Sequence, residues 1–331
     1  MLKRLFRGLG MLVLGLLLVI VAGLGVIALT HMDKSLQETQ QALRVDADSL
    51  NTLAHKGTEL VYQVEGQGQP IVLIHSHFFS MKMWDQYAER LSQNYQVIRF
   101  DLTSHGLTGP ESNHDYSMNR DLELLDALVE HLQLDDLVLV GSSLGGNIAI
   151  NYTSRYPQKV KALVLQNSGG FRKANSRGGR GEDMPGWADY LLYAMPTMAY
   201  DAFFDWMTKV DMPNAEQHKQ DFASGFLRKG NRYAEMQRIR QFKTGDTAGL
   251  LQSISQPVMI QWGEQNPQLP VVLLQQFENN LTQSQHVISR VYPGVGHVLS
   301  LEAPISTVAD VQAFIEAVPS YSEISQGGEA L

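Results

Sequence analysis

Short, nearly uninterrupted apolar runs separated by helix-patterned stretches constrain this chain more than any other feature. "IVLIH" (71–75), "YQVIRFD" (95–101), "LVLVG" (137–141) and "VKALVLQN" (160–167) are too short for core helices and carry little polar alternation. A strand that is apolar on both sides is buried on both faces, as in the centre of a parallel sheet. "ELVYQV" (59–64) reads as a further strand, followed by "EGQGQP" as a turn. "MWDQYAERLS", "NRDLELLDALVEHLQL" (119–134) and "GGNIAINYTSRYP" fill the gaps and read as helices. From about residue 256 the alternation resumes with "PVMIQW", "LPVVLLQQFENNL", "SRVYP" and a helix from about Pro304 to Val318. Strands alternating with helices imply a mostly parallel sheet covered on both faces. No internal repeat is visible.

Residues 171–250 interrupt that pattern. They open with a Gly- and Arg-rich loop, "FRKANSRGGRGEDMPG", followed by "WADYLLYAMPTMAYDAFFDWM" and a second helical stretch, "NRYAEMQRIRQF". The size suits an inserted helical lid. Its aromatic and Met side chains either line a pocket or pack the lid onto the core. Residues 33–56 read as a polar linker or stalk, and 319–331 as a frayed tail. The sheet-forming core then covers 57–170 and 251–318.

The first 32 residues stand apart. Lys3, Arg4 and Arg7 precede a charge-free run from Gly8 to Met32. About 20 apolar residues cross a bilayer as a helix, whereas the apolar core of a signal peptide is about 7–15 long. The run therefore reads as an uncleaved signal anchor in the inner or plasma membrane. The basic residues favour an inside N-terminus and an extracytoplasmic, periplasmic domain. Cleavage after Val26-Ile27-Ala28 and secretion is the alternative. With no cysteine in the chain, a lipoprotein anchor, disulfides and thiolate metal sites are excluded. A net charge of −8 speaks against nucleic acid as a partner, since binding a phosphate backbone needs clustered Lys and Arg. The oligomeric state is left open.

The strongest chemical signal is "LVLVGSSLGG". It holds G-x-S-x-G as Gly141, Ser142, Ser143, Leu144 and Gly145, directly after an apolar strand and before a helix. A nucleophile on a sharp strand-to-helix turn adopts strained backbone angles, and small neighbours let that turn close. The same turn aims the helix N-terminus at developing negative charge.

With this motif the chain resembles the α/β-hydrolase superfamily, specifically its lid-bearing esterase-like group. The resemblance runs over about residues 57–318 and includes "LVYQVEGQGQPIVLIH", "FDLTSHGLTGP", "GSSLGG" and "GVGHVLSLEAP". It implies an α/β-hydrolase fold with an eight-stranded, mostly parallel sheet flanked by helices, and no cofactor. It implies Ser143 as nucleophile and His297 as base. It also implies an oxyanion hole made by the amides of Leu144 and His77. The family usually reads His-Gly where this chain reads His75-Ser76-His77-Phe78. "HSH" does not read as a metal motif, because no carboxylate cluster accompanies it in the sequence.

The acid position departs from the pattern. Two residues after "WGE", where the family carries its acid, stands Asn266. The other position used by relatives, after the preceding strand, holds Gln166, Asn167 and Ser168. Three accounts follow. Asn266 orients His297 through its amide oxygen; Glu264 or a lid acid such as Asp183 reaches in; or the site has decayed. Glu302 reads as a helix-start residue. The leading expectation is a membrane-tethered serine hydrolase for a small-molecule ester or similar acyl substrate. The alternatives are a weakly active or inactive binding domain, and a C–C bond hydrolase or perhydrolase.

Overall fold

The computed structural model describes residues 2–30, 32–171, 184–284 and 286–318. Eight strands form one sheet: β1 (Asn51–His55), β2 (Thr58–Glu65), β3 (Pro70–Ile74), β4 (Gln96–Phe100), β5 (Leu137–Ser142), β6 (Val160–Gln166), β7 (Val258–Gly263) and β8 (Val287–Tyr292). Their spatial order is β1-β2-β4-β3-β5-β6-β7-β8. β1 and β2 pair antiparallel, β2 runs antiparallel to β4, and every later neighbour is parallel.

The apolar runs are explained by two cores, one on each face of the sheet. Ile71, Leu73, Val97, Val138, Val140, Ala162 and Val164 point to one face. Val72, Ile74, Ile98, Leu137, Leu139, Leu163 and Leu165 point to the other. Alternate residues leave opposite sides of a strand, so a strand buried on both sides must be apolar throughout. α3 (Asp85–Leu91) and α12 (Pro304–Ala317) cover the first face with Tyr87, Leu91, Val311 and Phe314. α4 (Met118–His131), α5 (Leu144–Arg155), α9 (Thr247–Gln252) and α10 (Leu274–Asn280) cover the second. The short α11 (Leu299–Glu302) precedes α12.

Residues 33–55 are not a free stalk. α2 (Leu36–Ala42) begins at a capping box between Ser35 and Glu38 and packs on the lid, and Leu43 is fully buried. β1 follows as an edge strand. Its sequence, "NTLAH", is half exposed and carries no apolar run, so it gave no strand signal. It is set by the turn at Lys56-Gly57, whose positive φ angles of 46° and 85° fold it back onto β2.

The lid contains α6 (Thr197–Met207), α7 (Ala215–Leu227) and α8 (Asn231–Gln241) after a 3-10 segment, Gly186–Tyr193. Pro196, extended at φ −70° and ψ 155°, breaks the long aromatic stretch expected to be one unit. α7 lacks a clear apolar stripe in sequence; Phe222, Ala223 and Phe226 are its buried apolar residues. Tyr200, Phe204, Met207 and Met212 join the first core, so much of the lid's apolar content packs the lid down. The Arg-rich loop at 172–183, including Asp183, and the tail at 319–331 lie outside the described residues.

α1 (Leu2–Thr30) is long and apolar enough to cross a membrane. Phe6–Ile27 has a mean hydropathy of 2.8 and buries none of that window against the protein.

Candidate active site

β5 ends at the middle of the sheet and delivers Ser143 at the start of α5. Ser143 has φ 51° and ψ −109°, a strained backbone for a residue with a side chain. Its glycines are required by close approach. A Cβ on Gly141 would lie 2.4 Å from the Gly145 carbonyl oxygen, and one on Gly145 would lie 2.2 Å from that of Ile74. The end of β6 holds the turn from the other side. Ser143 N donates to Gln166 O at 3.0 Å, and Gly169 N donates to Ser143 O at 2.8 Å.

His297 follows β8 in a loop that the lid also touches, since its backbone N–H donates to Met207 O at 2.9 Å. The ring is 1% exposed, and burial pushes its pKa down to about 4. Asn266 Oδ1 lies 3.0 Å from His297 Nδ1. The same oxygen accepts the backbone N–H groups of Gln268 at 3.1 Å and Leu269 at 3.0 Å. Those two donors fix which end of the amide faces the ring, because an NH2 group cannot accept from them. The oxygen faces Nδ1, so Nδ1 carries the proton and Nε2 keeps its lone pair. A buried amide thus dictates the tautomer that a carboxylate would dictate. No hydrogen bond joins Ser143 Oγ to His297 Nε2 among the described residues, and such contacts often tighten only with substrate bound.

The other acid candidates are placed elsewhere. Glu264 is exposed and accepts Gly294 N–H at 3.1 Å; it is not brought to His297. Asn167, at φ 43°, is scaffolding. Its Nδ2 donates to His297 O at 2.8 Å and Gly296 O at 3.2 Å, while its Oδ1 accepts Gly263 N–H at 2.9 Å. Sequence reading missed the part played by Glu302. Its buried carboxylate accepts the amides of Gly296 at 2.8 Å, Val298 at 2.9 Å and Lys209 at 2.6 Å. It therefore holds both neighbours of His297 and ties their loop to the lid. Burial raises its pKa against the pull of those amides.

Among the described residues, the two amides expected to form the oxyanion hole have no acceptor. Leu144 opens α5, so its N–H has no intrahelical partner. In the β3 loop, Ser76 N contacts Met83 Sδ at 3.3 Å, Phe78 N donates to His105 Nε2 at 3.1 Å and Phe79 N donates to Ser76 O at 3.2 Å. No acceptor is found for His77 N–H among the described residues. Ser76, standing where the family has glycine, does not need positive φ; the left-handed residue is Phe78, at φ 71°. The Ser76 hydroxyl bonds that of Ser142, next to Ser143, at 2.8 Å.

The His77 ring pairs with Glu235 of lid helix α8. Burial works to raise the Glu235 pKa, but His105, His77 and Arg238 outweigh it and hold it at about 2. Arg238, on the same helix, forms a two-pronged pair with Asp121 at 2.6 and 2.9 Å. His77, His105 and Glu235 bring donor atoms within 4.8 Å of one another. They do not suit a metal. His105 Nε2 accepts from Phe78 N–H, and its Nδ1 lies 2.9 Å from Thr103 O, so the ring has no spare lone pair.

The comparisons agree with this fold. The family model described as alpha/beta hydrolase fold matches residues 69–304. A cis-3-alkyl-4-alkyloxetan-2-one decarboxylase of Shewanella oneidensis is 23% identical, covering 80% of this chain and 87% of that protein. Lipase 1 of Psychrobacter immobilis is 24% identical, covering 87% of this chain and 90% of its own length. The crystal structure of a candidate lipase, lip1, from Acinetobacter baumannii superposes with a TM-score of 0.69 at 25% identity, covering 87% of this chain and 97% of that one. Sheet order, serine turn and matched segment lead to one assignment: this chain belongs to the α/β-hydrolase fold family.

Proposed function

We propose that the chain is a membrane-tethered serine hydrolase acting on an ester or similar acyl substrate, with an asparagine in place of the orienting acid. Relatives on this fold carry out different reactions, so the chemistry must be argued from the site. Ser143 Oγ attacks the acyl carbon while His297 Nε2 takes its proton. The amides of Leu144 and His77 receive the oxyanion. The imidazolium then protonates the leaving group, and the acyl-enzyme is hydrolysed by water activated through the same nitrogen. α1 anchors the domain on the extracytoplasmic side, as the basic residues before it favour.

The observation that carries this reading is the triple hydrogen bonding of Asn266 Oδ1. In a serine-protease triad, Asp→Asn costs about 10⁴ in turnover through a wrong tautomer. Here the two backbone donors remove that fault. A binding domain without turnover has no use for a histidine tautomer held this way. The test is pre-steady-state hydrolysis of a p-nitrophenyl ester. The proposal expects a burst of one nitrophenolate per active chain, absent in Ser143→Ala. Equal rates in folded wild type and Ser143→Ala refute it.

A further inference from the structure

The chain leaving α1 is pinned to the lid. α1 ends at Thr30, and within four residues the backbone is captured. Asp33 Oδ1 accepts from Arg232 at 2.5 Å. Lys34 N–H donates to Leu227 O at 2.6 Å, and Lys229 N–H donates to Lys34 O at 2.8 Å, a strand-like bridge across the α7–α8 junction. The Arg232 guanidinium lies 4.2 Å over the ring of Tyr193, and the Tyr190 ring is 6.2 Å from Tyr193. The 3-10 segment of the lid therefore adjoins the point where the apolar helix ends. That segment exposes Trp187 (67%) and Tyr190 (63%), and nearby α6 exposes Met198 (73%).

We propose that the lid surface carrying Trp187 and Tyr190 docks on the lipid bilayer that α1 spans. The inference rests on the membrane-tethered reading. Chain length leaves little freedom. Asp33 follows the apolar window by six residues, which reach about 9 Å as helix and about 20 Å fully extended. The headgroup zone is about 5–8 Å thick per leaflet. Arg232 and Lys34 are thus kept within that zone or at most about 15 Å beyond it, and the lid comes with them. Trp and Tyr suit this position because their rings bury while their N–H and O–H groups stay hydrated. Exposed Lys229 and the nearby Lys34 supply positive charge for anionic headgroups on a chain of net charge −8.

The test uses the full chain in phosphatidylcholine–phosphatidylglycerol vesicles whose acyl chains are brominated near the glycerol. Of the four tryptophans, Trp84 and Trp262 are fully buried in the core, so an accessible signal comes from the lid. Docking expects tryptophan emission to be quenched in these vesicles, with about half or more of the quenching lost in Trp187→Phe, because interfacial rings sit at that depth. Flotation separates the two layers of the argument. Protein that floats with the vesicles yet shows no quenching, or whose quenching is unchanged in Trp187→Phe, overturns docking and leaves the tether standing. Protein that does not float overturns both.

Discussion

Replacing Asn266 by aspartate should move the acid limb of the pH–rate profile upward. In the wild-type site burial holds His297 at about 4, and no carboxylate opposes that effect. A general base must be neutral to act, so kcat/KM should stay flat from neutral pH down to about 5 and halve at about 4. A carboxylate at residue 266 would sit where Oδ1 lies, 3.0 Å from Nδ1, and favour the imidazolium. The bare attraction is about 5 kcal/mol at an effective dielectric of about 20. Desolvation and the two backbone donors oppose proton uptake, leaving a shift of about 1–3 units. The limb of Asn266→Asp should therefore fall between about 5 and about 7. The same charge stabilises the imidazolium in the transition state, so the rate at pH 8 should rise about 3- to 30-fold if half of that energy is expressed. The variant should also lose about 1–3 kcal/mol of stability. The reason is that Asn266 Nδ2 has no partner among the described residues, and the new carboxylate oxygen would be buried there unpaired. The assay is kcat/KM for a soluble ester from pH 4 to 9, with circular dichroism confirming the fold at each pH. A wild-type limb already near 7 that the substitution leaves in place refutes the reasoning.

Three further outcomes follow from the same geometry. Glu235→Gln, which removes the charge facing His77, should lower kcat about tenfold with little change in KM. Its effect should not add to that of His77→Gln, which a double-mutant cycle measures. Glu302→Ala strands three amides around His297 and should cost about 3 kcal/mol or more, read as a fall in Tm of about 6–12 °C. His297, lowered from about 6.5 unfolded to about 4 folded, contributes stability that is fully present above about 6.5 and lost as pH falls. Between pH 6.5 and 5 the wild type should lose about 1.5 kcal/mol more than His297→Asn in urea unfolding.

The readable parts of the chain were those whose burial is local. The strands from β2 to β7 announce themselves because a central strand needs apolar residues on both faces, whereas β8, a partly exposed edge strand, was legible only in part, from "SRVYP". The serine turn is legible because its glycines are demanded by backbone contacts within a few residues. β1 was missed because an edge strand with one solvated face needs no apolar run. α7 and the inner face of α8 were opaque for a different reason. Glu235 and Arg238 look like a solvated charged surface, yet both are buried against His77 and Asp121, more than 100 positions away. Asn266 could be named as the residue at the acid position, but its amide orientation depends on the Gln268 and Leu269 amides, which a sequence does not locate. The use of Glu302 as a clamp on the histidine loop likewise depends on Lys209 of the lid.

Fluorophosphonate labelling of the full chain, located by peptide mass, tests most directly whether Ser143 and His297 work with a neutral partner. Folded wild type should label at Ser143, Ser143→Ala should not label, and Asn266→Asp should label at a changed rate. Folded wild type that stays unlabelled while Asn266→Asp gains label would contradict this expectation, showing a site that lost its acid and its chemistry together.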